Sequence, residues 1–147
     1  MRYMVIVKST PETEHAKLPD DVMTEMFATM GKYNEELAQA GHMLAGEGLM
    51  PSSDGFKLRF DGDERAVVDG PFTEAKELIA GFWILKFDSR EQAVEWLSKA
   101  PFGNVPGGFE LEVRRVAEDD DHGDAFTPEL REQEDRIRQL AKANAAA

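Results

Sequence analysis

The 147-residue sequence contains no cysteine. That absence excludes disulfide bonds, thiolate catalysis and cysteine-based metal sites, and it fits a reducing compartment, so we expect a cytoplasmic protein. Histidine is also scarce: His15, His42 and His122 are too far apart to suggest a ligand pair for a metal ion. No glycine-rich phosphate loop or nucleophile-elbow motif is present. We therefore expect no metal and no other cofactor.

Basic residues are few, with 17 Lys and Arg against 29 Asp and Glu, which gives a net charge of −12. Such a surface repels phosphate backbones and anionic lipids, and no basic patch offsets it. Long apolar runs are missing as well, because the run over residues 2–8 is too short for a signal peptide and none approaches a membrane span. We expect binding to neither nucleic acid nor membrane.

What the sequence does contain is enough apolar material for one folded domain, with 41% hydrophobic residues and nine phenylalanines. We place this domain at residues 1–116. Residues 117–126 are strongly acidic and are interpreted as a solvated linker. Thr127, Pro128 and Glu129 form a helix-start pattern, so residues 127–147 are predicted to form an extra C-terminal helix that docks weakly or on a partner subunit.

Apolar periodicity divides the domain into strands and helices. Strands are predicted over residues 2–8, 42–50, 56–60, 64–69, 79–87 and 109–114. One helix is predicted from Asp20, capped by Asp20 or Asp21, to Ala40, and another from a cap at Asp88 or Ser89 to Pro101. Residues 9–18, 51–55 and 102–108 are interpreted as loops, Asp61-Gly62 as a tight hairpin turn, and Gly41 as the residue that ends the first helix. The order β-α-β-β-β-β-α-β predicts an α+β, ferredoxin-like fold with an antiparallel sheet.

Two of the predicted strands, residues 2–8 and 79–87, are apolar on both alternating faces. Two helices can cover only one face of the sheet, and an exposed sheet face that apolar would aggregate. The simplest cover for the second face is the same face of a second copy. We therefore expect a homodimer that pairs through its sheet faces.

The stretch from Val67 to Glu77, with Asp69-Gly70-Pro71-Phe72 at its centre, is followed by Gly81-Phe82-Trp83 and resembles the DGPF branch of the YCII-related family. The patterns Tyr33-x-x-Glu36-Leu37, Ala40-Gly41 and Gly46-Glu47-x-Leu49-x-Pro51 fit as well. The resemblance covers about residues 2–116. It implies the dimeric α/β-barrel superfamily, in which two ferredoxin-like sheets pair.

The resemblance implies no settled activity. YCII proteins are thought to be enzyme-like because a helix histidine and an aspartate in an Asp-Pro-Tyr motif face one pocket. This sequence has Met30 at the first position and Ala100-Pro101-Phe102 at the second. The pair of groups that would perform acid–base chemistry is therefore not carried over.

Asp69 is the best candidate for a catalytic residue. A carboxylate at a strand end beside an apolar cleft can act as a general base. Its alternative role is structural, since Asp before Gly often fixes a turn through nearby backbone amides. Tyr33, Glu47 and Phe72 are candidate substrate-binding residues around the same cleft. The alternative for Tyr33 and Phe72 is packing in the core, as most tyrosines on an apolar helix stripe do, and the alternative for Glu47 is an exposed strand carboxylate.

Two functional hypotheses follow. In the first, a pocket between the sheet and the first long helix carries out cofactor-independent proton transfer on a small organic molecule, with Asp69 as base. In the second, the chain is a non-catalytic ligand-binding or regulatory module. The family's association with sigma-factor systems implies a signalling role only by analogy.

Overall fold

A computed structural model describes residues 1–103 and 109–147 of the chain. The chain forms two compact units, Met1–Arg115 and Val116–Ala147. Of the loop predicted over residues 102–108, residues 104–108 lie outside the described residues. No helix in the described part is both long enough and apolar enough to cross a membrane.

In the described part of the first unit, six strands form two antiparallel sheets. The strands are β1 (Arg2–Lys8), β2 (Met43–Gly48), β3 (Phe56–Asp61), β4 (Glu64–Asp69), β5 (Ile79–Lys86) and β6 (Leu111–Arg115). Four of them form the main sheet in the order β2-β5-β1-β6, the arrangement of a ferredoxin-like fold. The hairpin β3–β4 turns at Gly62, whose φ is 55°, and forms a separate two-stranded sheet. The predicted α+β fold class and antiparallel pairing are confirmed.

Three helices accompany these strands: α1 (Pro11–His15), α2 (Asp20–Gln39) and α3 (Arg90–Leu97). The loop predicted over residues 9–18 is wrong, because α1 forms there. Thr10 accepts a hydrogen bond from the Thr13 backbone N–H at 3.2 Å, and the Thr13 hydroxyl accepts one from the Thr10 N–H at 2.9 Å. This reciprocal cap stabilises a single turn of polar residues. Because such a turn has no apolar periodicity, the sequence pattern does not predict it.

The caps of the longer helices partly differ from expectation. The N-cap of α2 is Pro19, which makes no side-chain hydrogen bond, so Asp20 and Asp21 lie in the first turn and do not cap it. There their charge still favours the positive end of the helix dipole. Ser89 caps α3 as predicted, accepting a hydrogen bond from the Gln92 N–H at 3.1 Å. The helix ends at Leu97, one turn before Pro101.

The core lies on one face of the main sheet, against α2 and α3. It contains Val5, Leu37, Leu85 and Phe87, each almost fully buried. Only the second half of α2 contributes to it, whereas the apolar side chains of the first half, Val22, Met23, Met26 and Phe27, are exposed. The opposite sheet face carries four half-buried apolar side chains that lie outside this core: Met4, Ile6, Phe82 and Ile84.

The second unit consists of 3₁₀ turns over Asp119–Ala125 and the helix α4 (Pro128–Ala146). The acidic stretch predicted as a linker therefore has local structure. Arg138 pairs with Asp119 at 2.8 Å, and Arg131 pairs with Asp120 at 2.9 Å. The Arg138 guanidinium lowers the pKa of Asp119 below its usual range. Thr127 caps α4, as its sequence pattern predicts.

Candidate functional site

A cavity of about 240 Å³ lies between α2 and the main sheet. Its lining residues come from β1, α2, β2, β5 and the segment after α3: Val7, Met30, Asn34, Gly46, Glu47, Gly48, Ala80, Gly81, Phe82, Trp83 and Phe102. The walls are mostly apolar, with two aromatic rings and a methionine, as is typical of small-molecule pockets. The cavity contains Met30 and Phe102, two positions where the sequence departs from the YCII pattern.

Three glycines leave room for the cavity. Gly46 pairs with Trp83 and Gly48 pairs with Gly81, so strand alternation puts all of these positions on the face that α2 covers. A Cβ on Gly46 would lie 2.8 Å from Trp83 Cδ1, and one on Gly81 would lie 2.7 Å from the Glu47 carbonyl oxygen. A Cβ on Gly48 would meet nothing within 4 Å. The sheet floor is therefore bare of side chains where the cavity forms.

One side-chain hydrogen bond orients the polar group of the cavity. Trp83 Nε1–H donates to Asn34 Oδ1 at 2.9 Å. Because an indole N–H can only donate, the Asn34 oxygen must face Trp83, and the Asn34 NH₂ group is left for other partners. Among the lining residues within the described ranges 1–103 and 109–147, this NH₂ group is the only side-chain donor that is not already used. The cavity thus presents one hydrogen-bond donor among apolar walls.

Tyr33 packs against Trp83 on the side away from the cavity. Its ring packs edge-on against Trp83, with centroids 6.0 Å apart, and its hydroxyl donates to the Trp96 carbonyl oxygen at 2.8 Å. Burial, with a contribution from Glu36, raises the pKa of Tyr33 to about 12. The hydroxyl is therefore neutral and already hydrogen-bonded, and Tyr33 is not among the residues that line the cavity.

Glu47 borders the cavity but belongs to the other side of the sheet. It pairs with Phe82, while its neighbours Gly46 and Gly48 occupy the face under α2. Alternation therefore directs its carboxylate toward the face that carries Phe82 and Ile84. Its contribution to the cavity wall comes from the strand and not from an inward carboxylate.

The structure places Asp69 away from this cavity. Asp69 is the last residue of β4, pairs with Phe56 and is exposed. It lines neither the main cavity nor a second one of about 150 Å³ that includes Ser9, Thr13 and Glu14. The DGPF turn and the cavity are thus separate features.

The turn after Asp69 closes tightly on the segment around Ser52. A Cβ on Gly70 would overlap the Ser52 carbonyl oxygen, so no larger residue fits. Gly70 N–H donates to the Gly55 carbonyl oxygen at 2.9 Å, and Phe72 N–H donates to Ser52 Oγ at 3.0 Å. These contacts require glycine at position 70 for close approach of two backbones.

Sequence reasoning missed the residue that completes this arrangement. Glu14, whose side chain is only 6% exposed, accepts from Ser52 N–H at 2.6 Å and from Ser52 Oγ at 2.8 Å. We call Glu14, Ser52, Gly70 and Phe72 the turn clasp. Glu14 and Ser52 both fall in segments predicted as loops, 38 residues apart. The only available signal was the Thr10–Thr13 capping pattern that precedes Glu14.

Phe72 belongs to the clasp and not to the cavity. Its ring is half-buried, and Lys57 Nζ lies 4.3 Å from the ring centroid. The same ammonium pairs with Glu77 at 2.7 Å. Phe72 therefore ties the hairpin to the turn, which is a packing role. In the described part of the chain, no three His, Asp or Glu side chains are grouped to hold a metal ion.

Comparison with known proteins places this architecture in a family. The YCII-related domain model matches residues 1–118. An uncharacterized protein of Rhizobium meliloti (strain 1021) is 32% identical over 96 residues, which cover 65% of this chain and 73% of that protein. A similar solved structure is the 5-chloro-2-hydroxyhydroquinone dehydrochlorinase from Burkholderia phenoliruptrix AC1100 in complex with 2,5-dihydroxybenzoquinone, with 18% identity, a TM-score of 0.45, and coverage of 80% of this chain and 95% of that one. The chain belongs to the YCII-related family.

Proposed function

We propose that this protein is a homodimeric module that binds a small, mostly apolar, single-ring molecule in the cavity between α2 and the sheet. The observation that carries this proposal is the cavity lining: Trp83, Phe102 and Met30 form apolar walls, and the Asn34 NH₂ group is the one free side-chain donor among the described lining residues. Such a site selects a flat ring that bears a hydrogen-bond acceptor.

The size of the cavity sets the size of the ligand. An apolar cavity of about 150 Å³ is enough to bind benzene. The space of about 240 Å³ here therefore accommodates one ring with one or two small substituents. A carbonyl or phenolic oxygen on that ring would accept from Asn34, while the ring packs against Trp83 and Phe102.

The chemistry of the lining favours binding over proton transfer. Glu47 is the only titratable residue in the part of the lining that the structure describes, and its place on β2 turns its carboxylate to the other sheet face. Tyr33 uses its hydroxyl on Trp96, and Asp69 is exposed outside the cavity. Proton transfer with Asp69 as base is the alternative. A binding module is also compatible with a regulatory role. The family resemblance suggests, by analogy, that such a role would be linked to sigma-factor signalling.

The dimer part of the proposal is supported by the face of the sheet opposite α2. Met4, Ile6, Phe82 and Ile84 lie together there, outside the core. A strand that is apolar on both faces needs cover on both. Pairing with the same face of a second copy would bury these four side chains and give each subunit an identical contact.

Two matched probes test the ligand. Acetophenone and ethylbenzene have the same shape, but only acetophenone carries an acceptor oxygen. The chain has two tryptophans, so Trp96→Phe assigns the Trp83 indole N–H resonance in a ¹H–¹⁵N spectrum. We expect both probes to shift that resonance and acetophenone to bind more tightly, because it also accepts from Asn34.

A filled cavity is the control for this experiment. Gly48→Leu places a side chain where the structure has open space on the cavity side, and it should abolish the shift. Gly31→Leu adds the same atoms on the exposed side of α2 and should leave the shift intact. No shift at millimolar probe in the wild type contradicts the proposal. An identified substrate whose turnover is lost in Asp69→Asn would establish the catalytic alternative.

Sedimentation tests the dimer. We expect a species of twice the 16.4 kDa chain mass at micromolar concentration, and a monomer for Ile84→Lys, because a charge in a paired apolar face is not tolerated. A wild-type monomer at that concentration would contradict the dimer.

A further inference from the structure

The β3–β4 hairpin has one apolar face that nothing in the described part of the first unit covers. Directly paired residues of antiparallel strands share a face, so the register Phe56 with Asp69, Leu58 with Val67 and Phe60 with Arg65 defines it. We call these six residues the hairpin face. Its apolar members are well exposed: Phe56 64%, Leu58 48%, Phe60 65% and Val67 63%.

The other face of the hairpin is attached to the body of the first unit. Lys57 lies on that face, pairs with Glu77 and stacks over Phe72. The attachment turns the hairpin face outward. A two-stranded sheet is marginally stable alone, and an exposed apolar patch of this kind marks a contact site.

The exposed area points to a contact between copies of the chain. The four apolar side chains leave on the order of 400 Å² accessible, which lies in the range of the largest patches on typical monomers. A stable interface buries about 800 Å² on each partner. The apolar side chains of the outer sheet face, such as Ile6 and Phe82, are already half-buried in one copy. The hairpin face would therefore add exposed apolar area to a contact through the sheet.

The charges at the two ends of the hairpin face determine the orientation in which a second copy can pack against it. Arg65 lies at the end near the turn and Asp69 at the opposite end, about 13 Å apart along β4. About a twofold axis near Leu58 and Val67, two such faces bring Arg65 against Asp69 of the partner subunit. The face is therefore complementary to itself in the antiparallel orientation, and parallel packing would oppose like charges.

We propose that the hairpin faces of two copies pack against each other in the homodimer, with Arg65 of each copy beside the partner's Asp69. This inference rests on the proposed dimer but not on the proposed ligand. It gives Asp69 the role of an interface charge at the end of an apolar contact.

A pair of adjacent substitutions tests the apolar contact. Leu58→Glu places a charge at the centre of the hairpin face, and we expect the dimer dissociation constant to rise at least about 30-fold, as for the loss of a central interface anchor. Arg59→Glu, on the opposite face of the same strand, should leave the constant within about twofold. Circular dichroism confirms that both variants fold.

A charge exchange tests the orientation. Arg65→Asp and Asp69→Arg should each weaken the dimer, because each opposes like charges across the axis, and the double variant should recover most of the loss. The two residues are too far apart within one chain for the recovery to be internal. Lack of recovery overturns the antiparallel packing.

The oligomeric states separate this inference from the sheet dimer. A monomeric wild type overturns both. If the wild type is a dimer, Ile84→Lys is a monomer and Leu58→Glu remains a dimer, the hairpin contact is wrong and the sheet dimer stands. If Leu58→Glu dissociates and Ile84→Lys does not, the hairpin contact stands and the sheet contact is wrong.

Discussion

The cavity and the turn clasp contrast in how their polar groups are used. In the clasp, the buried Glu14 carboxylate and the Ser52 hydroxyl hold each other and the Phe72 N–H through bonds of 2.6–3.0 Å. Among the described residues of the cavity, the only side-chain hydrogen bond joins Asn34 to Trp83, and one donor group stays free. The most distinctive stretch of the sequence therefore lies where the backbone needs exact geometry, and the space for a ligand lies elsewhere.

This contrast predicts that the two regions can be damaged separately. Changes in the clasp should lower the free energy of unfolding and leave probe binding intact in the protein that remains folded. Changes in the cavity should alter binding with small effects on stability. A clasp variant that folds normally yet fails to bind acetophenone would show that the two regions are coupled.

The largest effect is expected for Gly70→Ala. The new methyl group would overlap the Ser52 carbonyl oxygen, so the turn must open, and we expect a loss of about 3 kcal/mol in the free energy of unfolding. Urea unfolding measures this loss. Gly31→Ala is the matched control: its Cβ meets nothing within 4 Å, and alanine in a helix should gain up to about 1 kcal/mol.

A smaller loss is expected for Ser52→Ala. The variant removes the hydroxyl that donates to Glu14 and accepts from Phe72, leaving a nearly buried carboxylate with one donor fewer. We expect about 2 kcal/mol of destabilisation by the same measurement, since bonds to charged groups are the costly ones to lose. Ser53→Ala, at the exposed neighbouring position, should stay within about 0.5 kcal/mol of the wild type.

Asn34→Asp tests the free side-chain donor of the cavity. The carboxylate keeps an oxygen to accept from Trp83 but removes the free NH₂ donor. We expect acetophenone affinity to fall about tenfold relative to ethylbenzene, measured by titration of the Trp83 indole resonance. An equal loss for both probes would mean that Asn34 does not bind the acceptor oxygen.

Tyr33→Phe has the smallest expected effect, about 1 kcal/mol, because it removes one neutral hydrogen bond to the Trp96 carbonyl oxygen. It also predicts a pH dependence. The pKa of Tyr33 is raised to about 12 in the folded protein, compared with about 10 in an unfolded chain. Folding therefore favours the protonated form, and this stability is complete below about pH 10 and is lost as the pH rises through 12.

Tyr33→Phe lacks the phenol hydroxyl. The difference in stability between the wild type and this variant therefore separates the titration of Tyr33 from that of the lysines. The advantage of the wild type should shrink above about pH 10 and reverse before about pH 12, because a pKa raised from about 10 to about 12 corresponds to about 3 kcal/mol. Parallel curves across that range would contradict the assigned pKa.

The main elements of the fold followed from the sequence because their patterns are strong. The apolar run from Ile79 to Phe87 predicted the central strand, and Asp61-Gly62 predicted the hairpin turn. Gly41, with φ of 81°, ends the helix region before β2 as expected. These features depend on local periodicity and turn chemistry, which a single sequence displays.

The candidate site was less predictable because it depends on contacts between distant segments. Asn34 attracts no attention in the sequence, and its role depends on Trp83, 49 residues away. The opposite facing of Glu47 and its glycine neighbours needs the strand register, which composition does not reveal. Asp69 drew attention as a carboxylate next to a turn, but only the fold shows that it is exposed and not part of the cavity lining.

The three glycines on the sheet side of the cavity also limit how substitutions can change the ligand that the cavity accepts. At positions 46 and 81 a single methyl group would already collide, so these sites admit no gradual change. Position 48 alone has room for a growing side chain. Successive substitutions there, from alanine to valine to leucine, would shrink the ligand space in steps of one or two carbons. Substitutions at position 48 alone would thus favour smaller ligands without disturbing the rest of the sheet.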